Sequence, residues 1–143
     1  MLIDGKCHCG NIAFALEWKG APPEIPARAC TCSFCMKHGG VWTSRPDSTL
    51  AVTIGDADRV STYAFGTRTA LFHVCSRCGV VPLVTSEIDN RLYAVVNVNA
   101  FENVDPSWLR RASSNFDGEG VESRLARRQR NWIGDVRISS RRA

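Results

Sequence analysis

No stretch of this 143-residue sequence stays apolar for anything near the ~20 residues that would cross a bilayer, which excludes a spanning helix. The start, Met1-Leu2-Ile3-Asp4-Gly5-Lys6, also lacks the apolar segment of a secretory signal, so a cytoplasmic protein is expected. Charge of one sign is scarce outside one place. The formal net charge is only +4, and seven arginines against the single Asp135 fall in residues 123–143, leaving everything before them near neutral. The body therefore offers no extended basic stripe, and any contact with nucleic acid is confined to the tail. Internal repeats of fixed period are absent, and histidine is sparse, limited to His8, His38 and His73.

What the chain has instead is cysteine: Cys7, Cys9, Cys30, Cys32, Cys35, Cys75 and Cys78. In a reducing compartment, close pairs and a triple read as metal ligands rather than disulfides, and the odd number agrees. With 44% hydrophobic and 22% charged residues the composition is that of one soluble globular domain. A chain of this size can bury a core without help from a metal.

The hydrophobic pattern predicts short strands. Ile12, Phe14, Leu16 and Trp18 alternate with smaller or polar residues, and a loop follows at Gly20, Pro22, Pro23 and Pro26. Further strands are expected over 41–44, 50–54, 60–65, 69–74, 80–85 and 92–98, with Gly66-Thr67-Arg68 joining two of them as a hairpin. About seven short strands with turn punctuation predict a mainly β fold of antiparallel sheets. Only after Asp117-Gly118 does the period change, with Val121, Leu125 and Trp132 near one helical face and Arg124, Arg127, Arg128 and Arg130 mostly elsewhere. A C-terminal helix of about three turns is predicted there. The division expected is a zinc-binding β domain over 1–116 and a basic helical extension over 117–143 packed on the same domain.

Cys75-Ser76-Arg77-Cys78-Gly79 has the form of a zinc knuckle: two residues between the thiolates let both sulfurs face one ion, and the glycine relieves the turn. Cys7-His8-Cys9-Gly10 carries the same closing glycine with tighter spacing. Pairing these two would make a closed four-thiolate site and staple the N-terminus to the middle of the chain. Cys30, Cys32 and Cys35 would then form a triple one ligand short of closure, which is how catalytic zinc is usually held, with water or substrate in the fourth position. A thiol entering that position loses its proton and becomes a nucleophile at neutral pH. Spacing alone also allows the triple to join Cys75 and Cys78, or to be closed by His38 or His73. His38, three residues past the triple, is a candidate for contact with a ligand or substrate; Trp42 and Trp108 are candidates for either a pocket wall or the core.

The ordered set Cys7-x-Cys9-Gly10, Cys30-x-Cys32-Ser33-x-Cys35 and Cys75-x-x-Cys78-Gly79 resembles the glutathione-dependent formaldehyde-activating enzyme and centromere protein V family over about residues 3 to 105. The resemblance implies a β-tent of small antiparallel sheets and two zinc ions (Zn2+) per chain. It implies a structural zinc on Cys7, Cys9, Cys75 and Cys78 and a catalytic zinc on Cys30, Cys32 and Cys35. It further implies a carbon–sulfur lyase type of reaction, run for the namesake as condensation of glutathione with formaldehyde to S-hydroxymethylglutathione. Cys78-Gly79-Val80-Val81-Pro82 is one residue longer than the family's usual Cys-Gly-Thr-Pro, and the basic C-terminal helix lies outside the common core.

The expected function is thus a zinc-dependent carbon–sulfur lyase or thiol–aldehyde adduct synthase acting on a small thiol such as glutathione and a small aldehyde. The alternative is a non-catalytic zinc module whose arginine-rich tail contacts nucleic acid or a protein partner. A third use of the tail is to grip the carboxylates of a glutathione-like anion or to form a homodimer contact.

Overall fold

The computed structural model describes residues 1–19 and 24–141. In chain order the elements are β1 (Leu2–Lys6), β2 (Ile12–Glu17), β3 (Ile25–Cys30), α1 (Ser33–His38), β4 (Val41–Thr43), β5 (Thr49–Ile54), β6 (Val60–Tyr63), β7 (Leu71–Cys75), β8 (Leu83–Ile88), β9 (Arg91–Asn97), β10 (Leu109–Ser114), α2 (Val121–Asn131) and β11 (Asp135–Ser140). They form two sheets. One has four strands in the order β1-β2-β5-β11; the other has seven in the order β10-β3-β4-β9-β8-β7-β6. The protein is mainly β with a helix near its C-terminus, as the sequence pattern predicts.

The alternation in β2 buries Ile12, Phe14 and Leu16. Leu16 lies opposite Leu50 of β5 and Ile3 of β1, and Phe14 lies opposite Val52. This inner face packs on Ile25, Leu83, Ala94 and Val96 of the larger sheet. At roughly 1.5–3 kcal/mol for each fully buried aliphatic side chain, the layer between the sheets is the main hydrophobic source of stability. Gly5 of β1 sits where a side chain would run into the Phe14 ring, so that strand needs a glycine at this point.

The larger sheet carries a second core on its other face, where Val84, Ile88, Tyr93 and Val95 meet Cys35, Trp42 and Trp132, with Leu125 of α2 packed against them. Covered on both sides, β8 is buried at every position except Glu87. Burial on both faces removes the apolar–polar alternation there, and Thr85 and Ser86 are buried along with the apolar residues.

The structure differs from the sequence pattern in several places. The sheets are not wholly antiparallel: β10 runs parallel to β3, and β11 runs parallel to β5. Pro26 belongs to a strand and not to the loop: it lies opposite Arg110 of β10, on a stretch where β4, which pairs only at Arg28 and Ala29, asks for no donor. Gly20, Pro22 and Pro23 of that expected loop lie outside the described residues. The tail is more than a helical extension, since β11 follows α2 and joins the four-stranded sheet along Thr49–Ile54. Arg128 is also not on a solvated face: it is only 5% exposed, whereas Val121, expected inward, is 47% exposed.

Candidate metal centres and the adjoining cavity

The two outer cysteine pairs sit on turns built alike. After β1, the Gly10 N–H donates to the Cys7 carbonyl at 3.1 Å and the Cys7 N–H to the Ile12 carbonyl at 2.9 Å. After β7, the Gly79 N–H donates to the Cys75 carbonyl at 2.8 Å and the Cys75 N–H to the Val80 carbonyl at 3.0 Å. Both closing glycines have a left-handed backbone, φ +85° at Gly10 and +81° at Gly79, which explains the residue type in both motifs. The turns bring the four Sγ atoms of Cys7, Cys9, Cys75 and Cys78 within 4.8 Å of one another. Cys7 and Cys9 sulfurs are 3.8 Å apart, and those of Cys9 and Cys75 are 3.5 Å apart.

Burial pushes the Cys7 thiol up to about 12, against the Ile12 N–H that donates to its sulfur at 3.3 Å. At Cys78 burial also acts upward but is outweighed: N–H groups of Val80 and Cys9 and the thiols of Cys75 and Cys7 bring it down to about 6. Within this cluster Cys78 readily carries a charge and Cys7 does not, a contrast that a bound cation relieves.

The central triple is assembled by one strand end and one short helix that the sequence pattern did not announce. Cys30 ends β3, Cys32 caps the start of α1 by accepting the Cys35 N–H at 3.4 Å, and Cys35 lies buried in that helix. Their three sulfurs also lie within 4.8 Å of one another. The Trp42 indole N–H donates to the Cys35 sulfur at 3.4 Å. A hydrogen bond from Cys35 brings the Cys30 thiol down to about 6, while the same bond and burial drive Cys35 upward. Both clusters could hold a metal ion.

The clusters differ in what lies beside them. Cys30, Cys32 and Cys35 open on a cavity of about 660 Å³; none of Cys7, Cys9, Cys75 and Cys78 lines it. Trp42, Phe65, Phe72, Phe116 and Trp132 give the cavity aromatic walls, and Arg28, Arg124, Arg127 and Arg128 give it positive charge. Glu119, also in the lining, is engaged by Arg127 at 3.1 Å and faces Arg124 at 3.9 Å.

Of the other sequence candidates, Trp42 lines the cavity, whereas Trp108 packs against the core between the sheets. His38 does not reach the cavity lining: its ring sits 4.4 Å from that of Phe34 and 5.8 Å from that of Trp42, and burial lowers its basicity. His73 donates to or accepts from the Thr85 hydroxyl at 2.7 Å, and His8 is exposed. Neither histidine belongs to the clusters. Among the cavity's charged residues, Arg28, placed two residues before Cys30 on β3, was not singled out by the sequence pattern, and Arg128 was expected only as one of the tail's arginines.

The family model described as glutathione-dependent formaldehyde-activating enzyme matches residues 2–115. A Halomonas elongata protein described under the same enzyme name is 31% identical over 85 residues. That match covers 54% of this chain and about half, 52%, of the relative's length. A crystal structure of a Rhodobacter sphaeroides protein superposes with a TM-score of 0.56 at 34% identity, covering 72% of this chain and 91% of that one.

Proposed function

From the premise that this chain belongs to the glutathione-dependent formaldehyde-activating enzyme family, we propose that it is an enzyme that makes or breaks a carbon–sulfur bond between a small thiol and a small aldehyde. Glutathione and formaldehyde set the type of each. We assign zinc to both clusters, with Cys7, Cys9, Cys75 and Cys78 as a structural site and Cys30, Cys32 and Cys35 as the catalytic one. The metal-binding β unit is then residues 1–116, and residues 117–143 are an extension packed on it.

The donor set fits zinc. Four thiolates at about 2.3 Å from one ion in a tetrahedron lie about 3.8 Å from each other, and the separations of 3.8 and 3.5 Å in the outer cluster agree. Three thiolates leave a tetrahedral position for a further ligand, and only the triple borders the cavity among these seven cysteines. That single difference carries the proposal. When bound there, zinc supplies a Lewis acid that lets a thiol exist as thiolate near neutral pH.

The protein's own residues do the rest. The Trp42 N–H fixes the Cys35 sulfur and offsets part of its charge. The aromatic walls keep water from the reacting pair, so that two small molecules meet in one orientation. In the synthetic direction the S–H bond of the thiol breaks, a carbon–sulfur bond forms to the aldehyde carbon, and the proton ends on the former carbonyl oxygen; the lyase direction reverses each change.

A binding module acting through a basic tail is less well supported, because Arg124, Arg127 and Arg128 of that tail line the cavity and two of them engage Glu119. The test is zinc content by elemental analysis on freshly reduced protein, with and without Cys32→Ser and Cys35→Ser together, alongside adduct formation from glutathione and 13C-formaldehyde followed by NMR. Two zincs falling to one, with loss of adduct exchange, is expected. Equal rates in both proteins would sink the enzymatic reading.

A further inference from the structure

Arg128 is an uncommon arginine. It is 95% buried in the wall of the cavity that holds the cysteine triple, as its 5% exposure states. Among the described residues its Nη1 donates only to hydroxyls, Thr69 Oγ1 at 2.8 Å and Ser86 Oγ at 3.2 Å. Its Nε has no hydrogen-bond partner among the described residues. No ion pair joins it to a carboxylate among those residues either. The guanidinium carbon lies 5.0 Å from the Trp132 ring centroid, a contact that supports a cation without neutralising it.

A buried charge without a counter-ion is costly, and proteins seldom keep one that is not answered by something. Arg28 is half-buried and likewise has no ion pair among the described residues. It lines the same cavity and bonds through Nη2 to the Ser44 hydroxyl at 2.9 Å, again a neutral acceptor. Ser44 in turn donates to the Asn131 carbonyl at the end of α2 at 2.8 Å, which ties the two arginine-bearing elements together. Of the carboxylates in the lining, Glu119 is already taken up by Arg127 and Arg124, and Asp117 makes no ion pair with Arg28 or Arg128. The wall thus has four guanidiniums against two carboxylates, and the surplus falls on Arg28 and Arg128.

We propose that Arg28 and Arg128 form a seat for a carboxylate of the thiol substrate, so that the enzyme takes a carboxylate-bearing thiol with its chain along the aromatic walls and its sulfur toward Cys30, Cys32 and Cys35. This deepens the reading of the triple as a thiol site and rests on it for the identity of the other end of the ligand. Planar guanidinium forks suit a carboxylate. Arg128 comes from α2, which lies beyond the 2–115 span of the family match, so the seat is a property of this chain's own extension.

The test is binding to the zinc-loaded full chain, read by tryptophan fluorescence because Trp42 and Trp132 line the cavity. Three probes are titrated: 3-mercaptopropionate, its methyl ester, and 3-(methylthio)propionate, which keeps the carboxylate but has no thiol to lose a proton. 3-Mercaptopropionate should bind the wild-type chain about tenfold or more tightly than its methyl ester, the range expected for charge-assisted hydrogen bonds, and 3-(methylthio)propionate should still bind measurably through its carboxylate and lose that binding in Arg128→Gln. Arg128→Gln should bring that ratio close to one with zinc content unchanged. Arg28→Gln should do the same and serves if the buried substitution disturbs folding. Equal binding of acid and ester to the wild-type chain overturns the seat, whatever the enzyme does with formaldehyde. Preference for the acid over the ester in a protein that forms no adduct leaves the seat standing and removes the reaction instead.

Discussion

The two cysteine clusters are made of the same side chain at nearly the same sulfur spacing, yet they are built from different local structure. The outer four sit on two glycine-closed turns 68 residues apart in sequence, at the ends of β1 and β7, and tie the smaller sheet to the larger. The central three come from a strand end and one helix turn within six residues, and nothing distant is joined by them. A cluster that closes a long loop acts chiefly on folding; one that is local and borders a cavity acts chiefly on ligands. Four ligands leave no room at a tetrahedral ion, three leave one. The difference between the sites is therefore of topology and count, not of ligand chemistry.

The comparison breaks most visibly through Cys75→Ser. Removing a wholly buried ligand of the stapling cluster should cost several kcal/mol and lower Tm by about 10 °C or more, measured by calorimetry. Cys32→Ser is its counterpart: serine still caps α1, so Tm should move by no more than about 3 °C while one of two zincs and all adduct formation are lost. If the two substitutions cost the same stability, the contrast fails.

Acid should separate the clusters next. Zinc needs thiolates, and Cys7 pushed up to about 12 together with the raised Cys35 means that binding displaces protons at both sites. Added protons compete, so affinity falls as pH falls, by up to about tenfold per unit for each proton released. Stepping from pH 8 to 5.5 with a chromogenic chelator present, the three-ligand site should empty before the four-ligand one. Simultaneous release would count against two independent sites.

Smaller effects sharpen the picture. Trp42→Phe keeps the ring and removes the N–H to Cys35, and should weaken zinc at the triple about tenfold without touching the outer site. Gly10→Ala forces a side chain into φ +85° and should cost about 1 kcal/mol, seen as a Tm lower by a few degrees with both zincs kept.

Spacing made the cysteine groups legible, because ligands must converge and short separations limit how they do so. The strands β2, β5 and β9 were legible from apolar periodicity, since each puts a buried face on a core, whereas β8, expected over 80–85, runs Leu83–Ile88 and is buried on both faces. β10 and β11 were not legible. They read Leu-Arg-Arg-Ala-Ser-Ser and Asp-Val-Arg-Ile-Ser-Ser, sit at sheet edges with mostly exposed side chains, and are defined by backbone pairing to β3 and β5 that no side-chain pattern encodes. The cavity's positive wall was legible only in part: the arginine-rich tail suggested a grip on a substrate carboxylate, but not which arginines face the cavity. Arginine in an arginine-rich helix is expected to face water, and only tertiary packing decides that Arg128 turns toward Thr69 and Ser86 while its neighbours engage Glu119. Arg28 was silent, one charge with Glu24 in a segment dominated by prolines and cysteines.

The placement of α2 between β10 and β11 has an evolutionary side. The strand before the helix is hydrogen-bonded to β3 in one sheet and the strand after it to β5 in the other. Those anchors are backbone to backbone and ask little of particular side chains. The helix between them is thereby held over the cavity by its flanking strands, and its cavity-facing side chains can be exchanged provided that Leu125 keeps its place on the core. A lineage could therefore exchange one acid-recognising helix for another and acquire a new thiol partner without disturbing either cysteine cluster, which makes this segment the natural cassette for diversification and the first place to randomise in a search for altered substrates.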